Sequence, residues 1–141
     1  MGAKKILVPV DGSDGSCRAA AQAAELARAL DAEVTLVHVY DATAVAAMGL
    51  VALSQVDLGK AQDEVSKAAF SKAEASMGEV KLSHRQVFGD PAKEILAMAE
   101  NEGFIHIVMG SRGLSPMQEV LIGSVSERVI RHAPCPVTVV R

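Results

Sequence analysis

Short apolar runs and helical segments alternate along this chain, and this alternation limits its possible folds more than any other feature. Parallel strands need crossover connections of the kind that these helical segments supply, so a mainly parallel sheet covered by helices on both faces is expected. We therefore predict a single doubly wound α/β domain over residues 1–141. The predicted strands are Lys4–Val10, Glu33–Tyr40, Val80–Gly89, Phe104–Gly110 and Cys135–Arg141, and the predicted helices are Ser16–Leu30, Lys60–Met77, Asp90–Gly103 and Gly123–Ala133.

Local signals define the limits of one helix well and leave one connection open. Asp90 is a favourable N-cap, Pro91 follows at the first helical position, and Gly103 is a good stop. The connection Asp41–Gly59 is long, apolar and poor in charge. It either adds a turn of helix that covers the core or forms a mobile flap, and long connections of this kind are often functional.

Composition and charge exclude several classes of protein. The chain is 50% apolar, which is enough for one core without disulfides or structural metals, and its formal net charge is −3. The absence of a basic stripe argues against binding to nucleic acid through phosphates. Cys17 and Cys135 fit neither a metal-ligand nor a CxxC spacing. No apolar run approaches the roughly 20 residues of a membrane span, and the short N-terminal run is not a signal peptide. We expect a cytoplasmic protein without membrane insertion.

Two predicted strands end in residues suited to binding a ligand. Asp11 directly follows the first strand, and Gly110, Ser111, Arg112 and Gly113 stand at the end of the fourth. Ligands of open α/β sheets bind outside the carboxyl ends of the strands, where the winding direction reverses. If both strand ends serve one site, the first and fourth strands are neighbours, which predicts the strand order 3-2-1-4-5.

The glycines around the fourth strand predict an anion site. Gly110 and Gly113 permit positive φ angles and let amides approach a ligand without a Cβ in the way. Gly123 and Ser124 begin a helix, where free N–H groups and the helix dipole favour an anion. Two hydroxyls and one cation lie in the same stretch, on Ser124, Ser126 and Arg112. A polyphosphate matches this set of donors.

The spacing of these glycines resembles the motif of a known family. Gly110, Gly113, Gly123 and Ser124 meet the pattern G-x2-G-x9-G-[ST], and the opening KILVPVDGS and the ending CPVTVVR match the same family. On these residues the chain resembles the universal stress protein family over essentially its whole length. The resemblance implies a Rossmann-like fold of the adenine-nucleotide alpha-hydrolase type with strand order 3-2-1-4-5. It also implies homodimers, and ATP binding in members that carry this motif.

The resemblance further implies a set of site residues, and the motif shows no departure from the family pattern. Pro9, Val10 and Asp11 would lie against the nucleoside, with Asp11 near the ribose or adenine, and Val39 would border the adenine. The residues that would line the ribose and phosphates are Met109, Gly110, Arg112, Gly113, Gly123, Ser124, Val125 and Ser126. Mg²⁺ or Mn²⁺ is expected with ATP, because the motif supplies amides and one Arg but few cations for the charge of a polyphosphate.

Three functions remain open from the sequence. The first is a regulatory module in a stress response, whose ATP occupancy changes its shape or its contacts with an unidentified protein partner. The second is a slow ATPase or phosphoryl-transfer enzyme, and the third is a structural adaptor with an empty site. Glu119 lies between the motif glycines but is expected to be a solvated loop residue, and the four histidines are scattered over different elements. Because no catalytic base is evident, the regulatory module is the principal expectation.

Other nucleotide and signalling proteins fit the chain less well. It has no GxxxxGK[ST] loop, which excludes a Walker-type motor. A receiver domain needs a Lys after its fifth strand, and none stands there. The turn DGSDGS lacks the initial serine and paired glycines of an ATP pyrophosphatase loop.

The last strand is expected to form a homodimer. The strand order places Val137–Arg141 at an edge of the sheet with no later helix to cover it, and an unpaired edge invites pairing with another chain. A twofold axis at this edge would run the two copies antiparallel. Only alternate residues direct their N–H groups outward, so either Val137 and Val139 or Thr138 and Val140 carry the intermolecular bonds. Assembly beyond a dimer stays open.

Overall fold

The computed structural model describes residues 2–41, 55–112 and 122–141, with all of their side chains except those of residues 55–58. These residues form five strands and four helices that alternate as predicted. In chain order they are β1 (Lys5–Pro9), α1 (Asp14–Leu30), β2 (Glu33–Tyr40), α2 (Gln55–Glu74), β3 (Leu82–Phe88), α3 (Pro91–Asn101), β4 (His106–Gly110), α4 (Ser124–His132) and β5 (Val137–Val140).

The five strands form one parallel sheet in the order β3-β2-β1-β4-β5. This confirms the order predicted from the two strand ends. The chain winds outward from β1 through β2 to β3, then returns past β1 to β4 and β5. The winding direction therefore reverses between β1 and β4, and the carboxyl ends of these two strands meet at the switch point.

Two core layers cover the opposite faces of the sheet, as expected for a doubly wound domain. Ile6 and Val8 of β1 pack with α1 and α2, whereas Leu7, between them, packs with α3 and α4. Successive residues of a strand point to opposite faces, so β1 serves both layers. The side of α1 that meets the sheet consists of alanines that are at most 1% exposed, namely Ala19, Ala20, Ala23, Ala24 and Ala27. These small side chains let α1 lie close to the sheet.

Two helix starts differ from the prediction. α1 begins at Asp14 rather than Ser16, because Ser13 is the N-cap and its Oγ accepts a hydrogen bond of 3.2 Å from the Ser16 N–H. α2 begins at Gln55 rather than Lys60 and includes Gly59, whose low helix propensity favours a later start. Residues 42–54 of the connection Asp41–Gly59 lie outside the described residues, and residues 55–59 belong to α2.

Both predicted limits of α3 are confirmed. The Asp90 side chain accepts a hydrogen bond of 3.0 Å from the Lys93 N–H, and Pro91 is the first helical residue. Gly103 follows the helix with a φ of 68°, a left-handed conformation that favours glycine. No helix in the described part of the chain combines the length and the apolar character needed to cross a membrane.

Candidate functional site

A cavity of about 520 Å³ lies at the carboxyl edge of the sheet, where β1 and β4 meet. Its wall combines the ends of β1, β2 and β4 with the first turns of α1, α3 and α4. Eleven of the twelve predicted site residues lie in this wall: Pro9, Val10, Asp11, Val39, Met109, Gly110, Arg112, Gly123, Ser124, Val125 and Ser126. The twelfth, Gly113, lies outside the described residues. The structure thus brings the eleven residues together, and their role in binding a ligand stays a prediction.

Eight further wall residues are not among the predicted ones: Ser13, Ser16, Val37, His38, Pro91, Ile95, Ile122 and Glu127. Several of them could be found from position alone. Ser13 caps α1 and Pro91 begins α3, so both stand at helix starts that follow a strand. In a parallel sheet every such turn lies at the carboxyl edge, which is the edge that carries the site.

The turn after β1 orients the Asp11 carboxylate. Asp11 Oδ1 accepts hydrogen bonds from the Ser13 N–H at 2.9 Å and from the Ser13 hydroxyl at 2.5 Å. Gly12 lies between them with a φ of 86°, which favours glycine. Within the described residues, Asp11 Oδ2 receives no hydrogen bond. The turn therefore holds one carboxylate oxygen and leaves the other available to a ligand.

β2 extends further than β1 at the carboxyl edge. The last hydrogen bond between them joins the Val10 N–H to Val37 O at 2.8 Å. Main-chain groups alternate in direction along a strand, and Tyr40 O faces β3, where it accepts from the Gly89 N–H at 2.8 Å. Val39 therefore directs its N–H and C=O toward the β1 side, beyond the end of that strand. The cavity wall thus offers one main-chain donor and one main-chain acceptor at Val39.

Gly110 has a packing role that differs from the predicted one. The glycines with positive φ in the described residues are Gly12, Gly78, Gly89 and Gly103, so Gly110 does not adopt the positive φ that glycine permits. A Cβ on Gly110 would lie 3.0 Å from Gly15 C, 3.1 Å from Gly15 O and 3.3 Å from Ser16 N. These are backbone atoms in the first turn of α1. The end of β4 and the start of α1 approach so closely that a side chain here would press on main-chain atoms, which favours glycine.

Two predicted donors of the anion site are used within the protein instead. The Gly123 N–H donates to Ser111 O at 2.6 Å, and the Ser126 hydroxyl donates to Gly110 O at 2.8 Å. Ser126 is only 3% exposed, and a buried hydroxyl needs an internal partner. Both bonds fasten the start of α4 to the end of β4, so these two groups shape the cavity and are not free donors.

The first turn of α4 keeps other amides for a ligand. Its N-cap, Gly123, has no side chain and makes no capping hydrogen bond, in contrast to Ser13 of α1 and Asp90 of α3. The first amides of a helix have no acceptor within it, so the N–H groups of residues 124–126 are available there. The helix dipole adds partial positive charge at the same place.

The charged groups of the wall have both signs. Arg112 brings a positive charge, whereas Asp11 and Glu127 bring negative charges. Glu127 is paired with Arg131, at 2.9 Å between Oε1 and Nη2. Among the residues that the structure describes, no group of three or more His, Cys, Asp or Glu side chains lies together in a way that could hold a metal ion.

His38 connects the wall to a buried polar chain. Its Nδ1 lies 2.7 Å from Ser66 Oγ on α2, and Ser66 Oγ also makes a very short hydrogen bond with Tyr40 Oη. The Tyr40 hydroxyl donates to Gln62 O at 2.5 Å, so the Ser66 hydroxyl donates to Tyr40 and accepts from the Nδ1–H of His38. Burial lowers the pKa of His38, an effect that the charge of Asp11 opposes in part, and burial raises the pKa of Tyr40. His38 is therefore neutral at pH 7.

Comparison with known proteins agrees with the fold along the whole chain. The model of the Universal stress protein family matches residues 2–141. Universal stress protein MJ0531 of Methanocaldococcus jannaschii is 39% identical over 141 residues, which cover 98% of this chain and 82% of that protein. Universal stress protein YxiE of Bacillus subtilis is 35% identical over 145 residues, which cover 97% of this chain and 98% of that protein.

Solved structures are similar over the same length. Hypothetical protein MJ0577 has a TM-score of 0.81 and 32% identity, with 99% of this chain and 96% of that chain covered. A universal stress protein in complex with cAMP has a TM-score of 0.68 and 26% identity, with 100% and 98% covered. The universal stress protein of Archaeoglobus fulgidus in complex with dAMP has a TM-score of 0.70 and 25% identity, with both chains covered completely. On these matches, the chain belongs to the universal stress protein family.

Proposed function

We propose that this protein binds ATP together with Mg²⁺ or Mn²⁺ in the cavity and that the occupied form regulates a protein partner. The proposal rests on the cavity wall, in which an uncapped helix start and the main-chain groups of Val39 lie around one space. Its volume of about 520 Å³ suits a small-molecule ligand. Two structural neighbours are complexes with cAMP and dAMP, which are adenine nucleotides.

The ends of β1 and β2 supply the groups that would bind the nucleoside. The N–H and C=O of Val39 are suited to the polar edge of a base, which carries both donors and acceptors. Val10, Pro91 and Ile95 give the wall apolar surface against which a flat ring can pack. Asp11 Oδ2 is available to accept a hydrogen bond from a ribose hydroxyl, since Oδ1 is held by the adjacent turn.

The start of α4 and the end of β4 supply the groups that would bind phosphate. The amides of residues 124–126, the hydroxyl of Ser124 and the guanidinium of Arg112 are all donors in the wall. A triphosphate carries more negative charge than these groups neutralise, and a divalent cation on its oxygens supplies the remaining positive charge. Mg²⁺ usually keeps several waters and is bound by the phosphates of a nucleotide together with one or two carboxylates.

ATP is expected to be held rather than rapidly hydrolysed. Phosphoryl transfer depends on a residue that positions the attacking group and on cations that stabilise the transferred phosphate. Of the two carboxylates in the described wall, Glu127 is paired with Arg131, and Asp11 is held at Oδ1 by Ser13 and assigned to the ribose at Oδ2. Glu119 lies outside the described residues. A slow ATPase is the rival function, and turnover at about 1 per second or faster, the rate of typical kinases, would favour it.

The proposal includes a homodimer through residues Val137–Arg141. β5 is an edge strand, and the carbonyls of Pro136 and Val140 accept hydrogen bonds of 3.0 and 2.9 Å from the β4 side. Because main-chain groups alternate in direction, Val137 and Val139 direct their N–H and C=O groups outward. These two residues, and not Thr138 and Val140, would therefore carry the intermolecular bonds.

Titration calorimetry with ATP and MgCl₂ tests the binding site. We expect the wild-type protein to bind ATP and Ser124→Glu to lose this binding, because the new carboxylate would lie among the phosphates. The fold should persist, since an acidic side chain in the first turn of a helix is favourable. Ser71→Glu on the exposed side of α2 makes the same change of net charge and should bind like the wild type. Unchanged affinity in Ser124→Glu, or no binding by the wild type, would contradict the proposal.

A further inference from the structure

The turn after β1 is fastened to α2, although α2 contributes none of the described wall residues. Lys72 Nζ donates to Gly12 O at 2.8 Å and pairs with Asp14 Oδ1 at 2.9 Å. Its hydrogen bond with Asp14 raises the pKa of Lys72, so the ammonium group stays charged. Gly12 lies next to Asp11, the residue whose carboxylate faces the nucleoside in the proposed function. Lys72 therefore holds this turn from α2, which lies outside the described cavity wall.

The end of β2 is fastened to the same helix. Ser66 is fully buried and is hydrogen-bonded to both His38 and Tyr40, the residues on either side of Val39. A second bond runs from the Tyr40 hydroxyl to Gln62 O of α2. The orientation of Val39, whose main chain would meet the base, thus depends on contacts that its two neighbours make with α2.

The sheet does not pair with either strand end on both sides. Beyond Val37, β2 pairs only with β3, which is an edge strand with mostly exposed side chains. The turn at Gly12 has left the sheet altogether and has a φ of 86°. A main chain that is bonded on one side is easily displaced, so the hydrogen bonds to α2 supply the missing constraint.

α2 is itself held firmly between its two points of contact. Ala69, Phe70 and Ala73 are buried in the core layer shared with α1, at 3%, 5% and 0% exposed. Ser66 precedes these core positions, and Lys72 stands between Phe70 and Ala73. Ser66 and Lys72 lie about 9 Å apart along the helix axis, at a rise of about 1.5 Å per residue. One packed segment of α2 therefore holds both the end of β2, through Ser66, and the turn after β1, through Lys72.

We propose that Ser66 and Lys72 are positioning residues, which set the affinity of the cavity for the nucleoside part of its ligand from outside the cavity wall. This inference rests on the proposed binding of an adenine nucleotide. It extends that function to α2, a helix that contributes no residue to the described cavity wall. It also implies that displacement of α2 lowers the affinity for the nucleotide.

The test compares the dissociation constants of AMP and of ATP with MgCl₂ in single variants, by titration calorimetry. Lys72→Met and Ser66→Ala should each weaken both ligands by the same factor, about three- to tenfold, as expected for the loss of an orienting hydrogen bond. Lys72→Arg keeps a donor and a charge and should bind both ligands like the wild type. Lys67→Met removes an exposed Lys of the same helix and should change nothing.

The outcomes separate this inference from the proposed function. Wild-type protein that binds neither AMP nor ATP contradicts both. Wild-type binding with unchanged affinity in Lys72→Met and Ser66→Ala overturns the positioning role alone, and so does a loss for ATP without a loss for AMP. A loss that Lys72→Arg fails to restore points to a general structural effect and also overturns it. If Ser66→Ala does not fold, Tyr40→Phe removes the hydroxyl that Ser66 binds and gives the same comparison.

Discussion

Replacing Gly110 by alanine tests the close approach of β4 and α1, and the structure indicates the size of the effect. The new Cβ would lie 3.0 to 3.3 Å from backbone atoms of Gly15 and Ser16, closer than a Cβ normally approaches such atoms. A backbone cannot rotate away as a flexible side chain does, so the first turn of α1 has to shift. Overpacking of this kind costs about 1–3 kcal/mol. For a chain of this length Tm should fall by about 4–12 °C, at roughly 4 °C per kcal/mol.

The matched control lies in the same glycine motif. A Cβ on Gly123 would meet Ser111 O at 3.5 Å and Arg112 Cα at 3.6 Å, which are ordinary contacts, and its φ of −74° suits any residue. Gly123→Ala should therefore cost less than about 1 kcal/mol, the loss of a favourable N-cap. Urea unfolding followed by circular dichroism measures both variants. A Gly110→Ala variant as stable as the wild type, or one more stable than Gly123→Ala, would refute the close approach.

Three further predictions follow from single contacts. Val139→Pro should give a folded monomer by light scattering and circular dichroism, whereas Val140→Pro should damage the fold because the N–H of Val140 faces β4. If both variants are folded dimers, the interface lies elsewhere. The pKa of His38 is lowered from 6.5, so the unfolded state binds more protons and stability should fall as pH drops below 6.5. His38→Gln should flatten this slope in urea unfolding at several pH values, leaving the part due to His106, whose pKa burial also lowers. An unchanged slope would contradict the assignment. Asp90→Ala should lower the free energy of unfolding by about 1 kcal/mol because it removes the N-cap of α3, and Asp90→Asn should keep most of the wild-type stability because Asn also caps helices. Equal stability of Asp90→Ala and the wild type would contradict a stabilising role of this cap.

The fold was predictable from the sequence because its signals are local and agree with one another. The alternation of strands and helices requires a parallel sheet, and placing Asp11 and Gly110 in one site requires β1 and β4 to be neighbours. The cap at Asp90 is likewise a matter of a few adjacent residues. The start of α2 was predicted less well, because Gly59 favours a later start, whereas the helix begins at Gln55, five positions before the predicted Lys60.

The details of the site depend on contacts between distant segments, which a motif does not reveal. Gly110 is a glycine because Gly15 of α1 lies against it, and the donors of Gly123 and Ser126 are used by carbonyls at the end of β4. His38 is a polar residue in an apolar strand, but its partner Ser66 lies on a helix 28 positions further along the chain. The sequence therefore identifies which residues surround the cavity more readily than what each of their groups does.

The most direct test of nucleotide binding in this cavity is a titration of isotopically labelled protein with ATP and MgCl₂, followed by amide chemical shifts, with MgCl₂ alone as the control. Binding in the cavity predicts that the largest shifts occur at Val39 and at residues 124–126, whose amides face the proposed ligand. Amides at the opposite edge of the sheet, such as those of Lys5 and Phe104, should move little. The account is contradicted if saturating ATP produces no shifts, or if the largest shifts lie at that opposite edge.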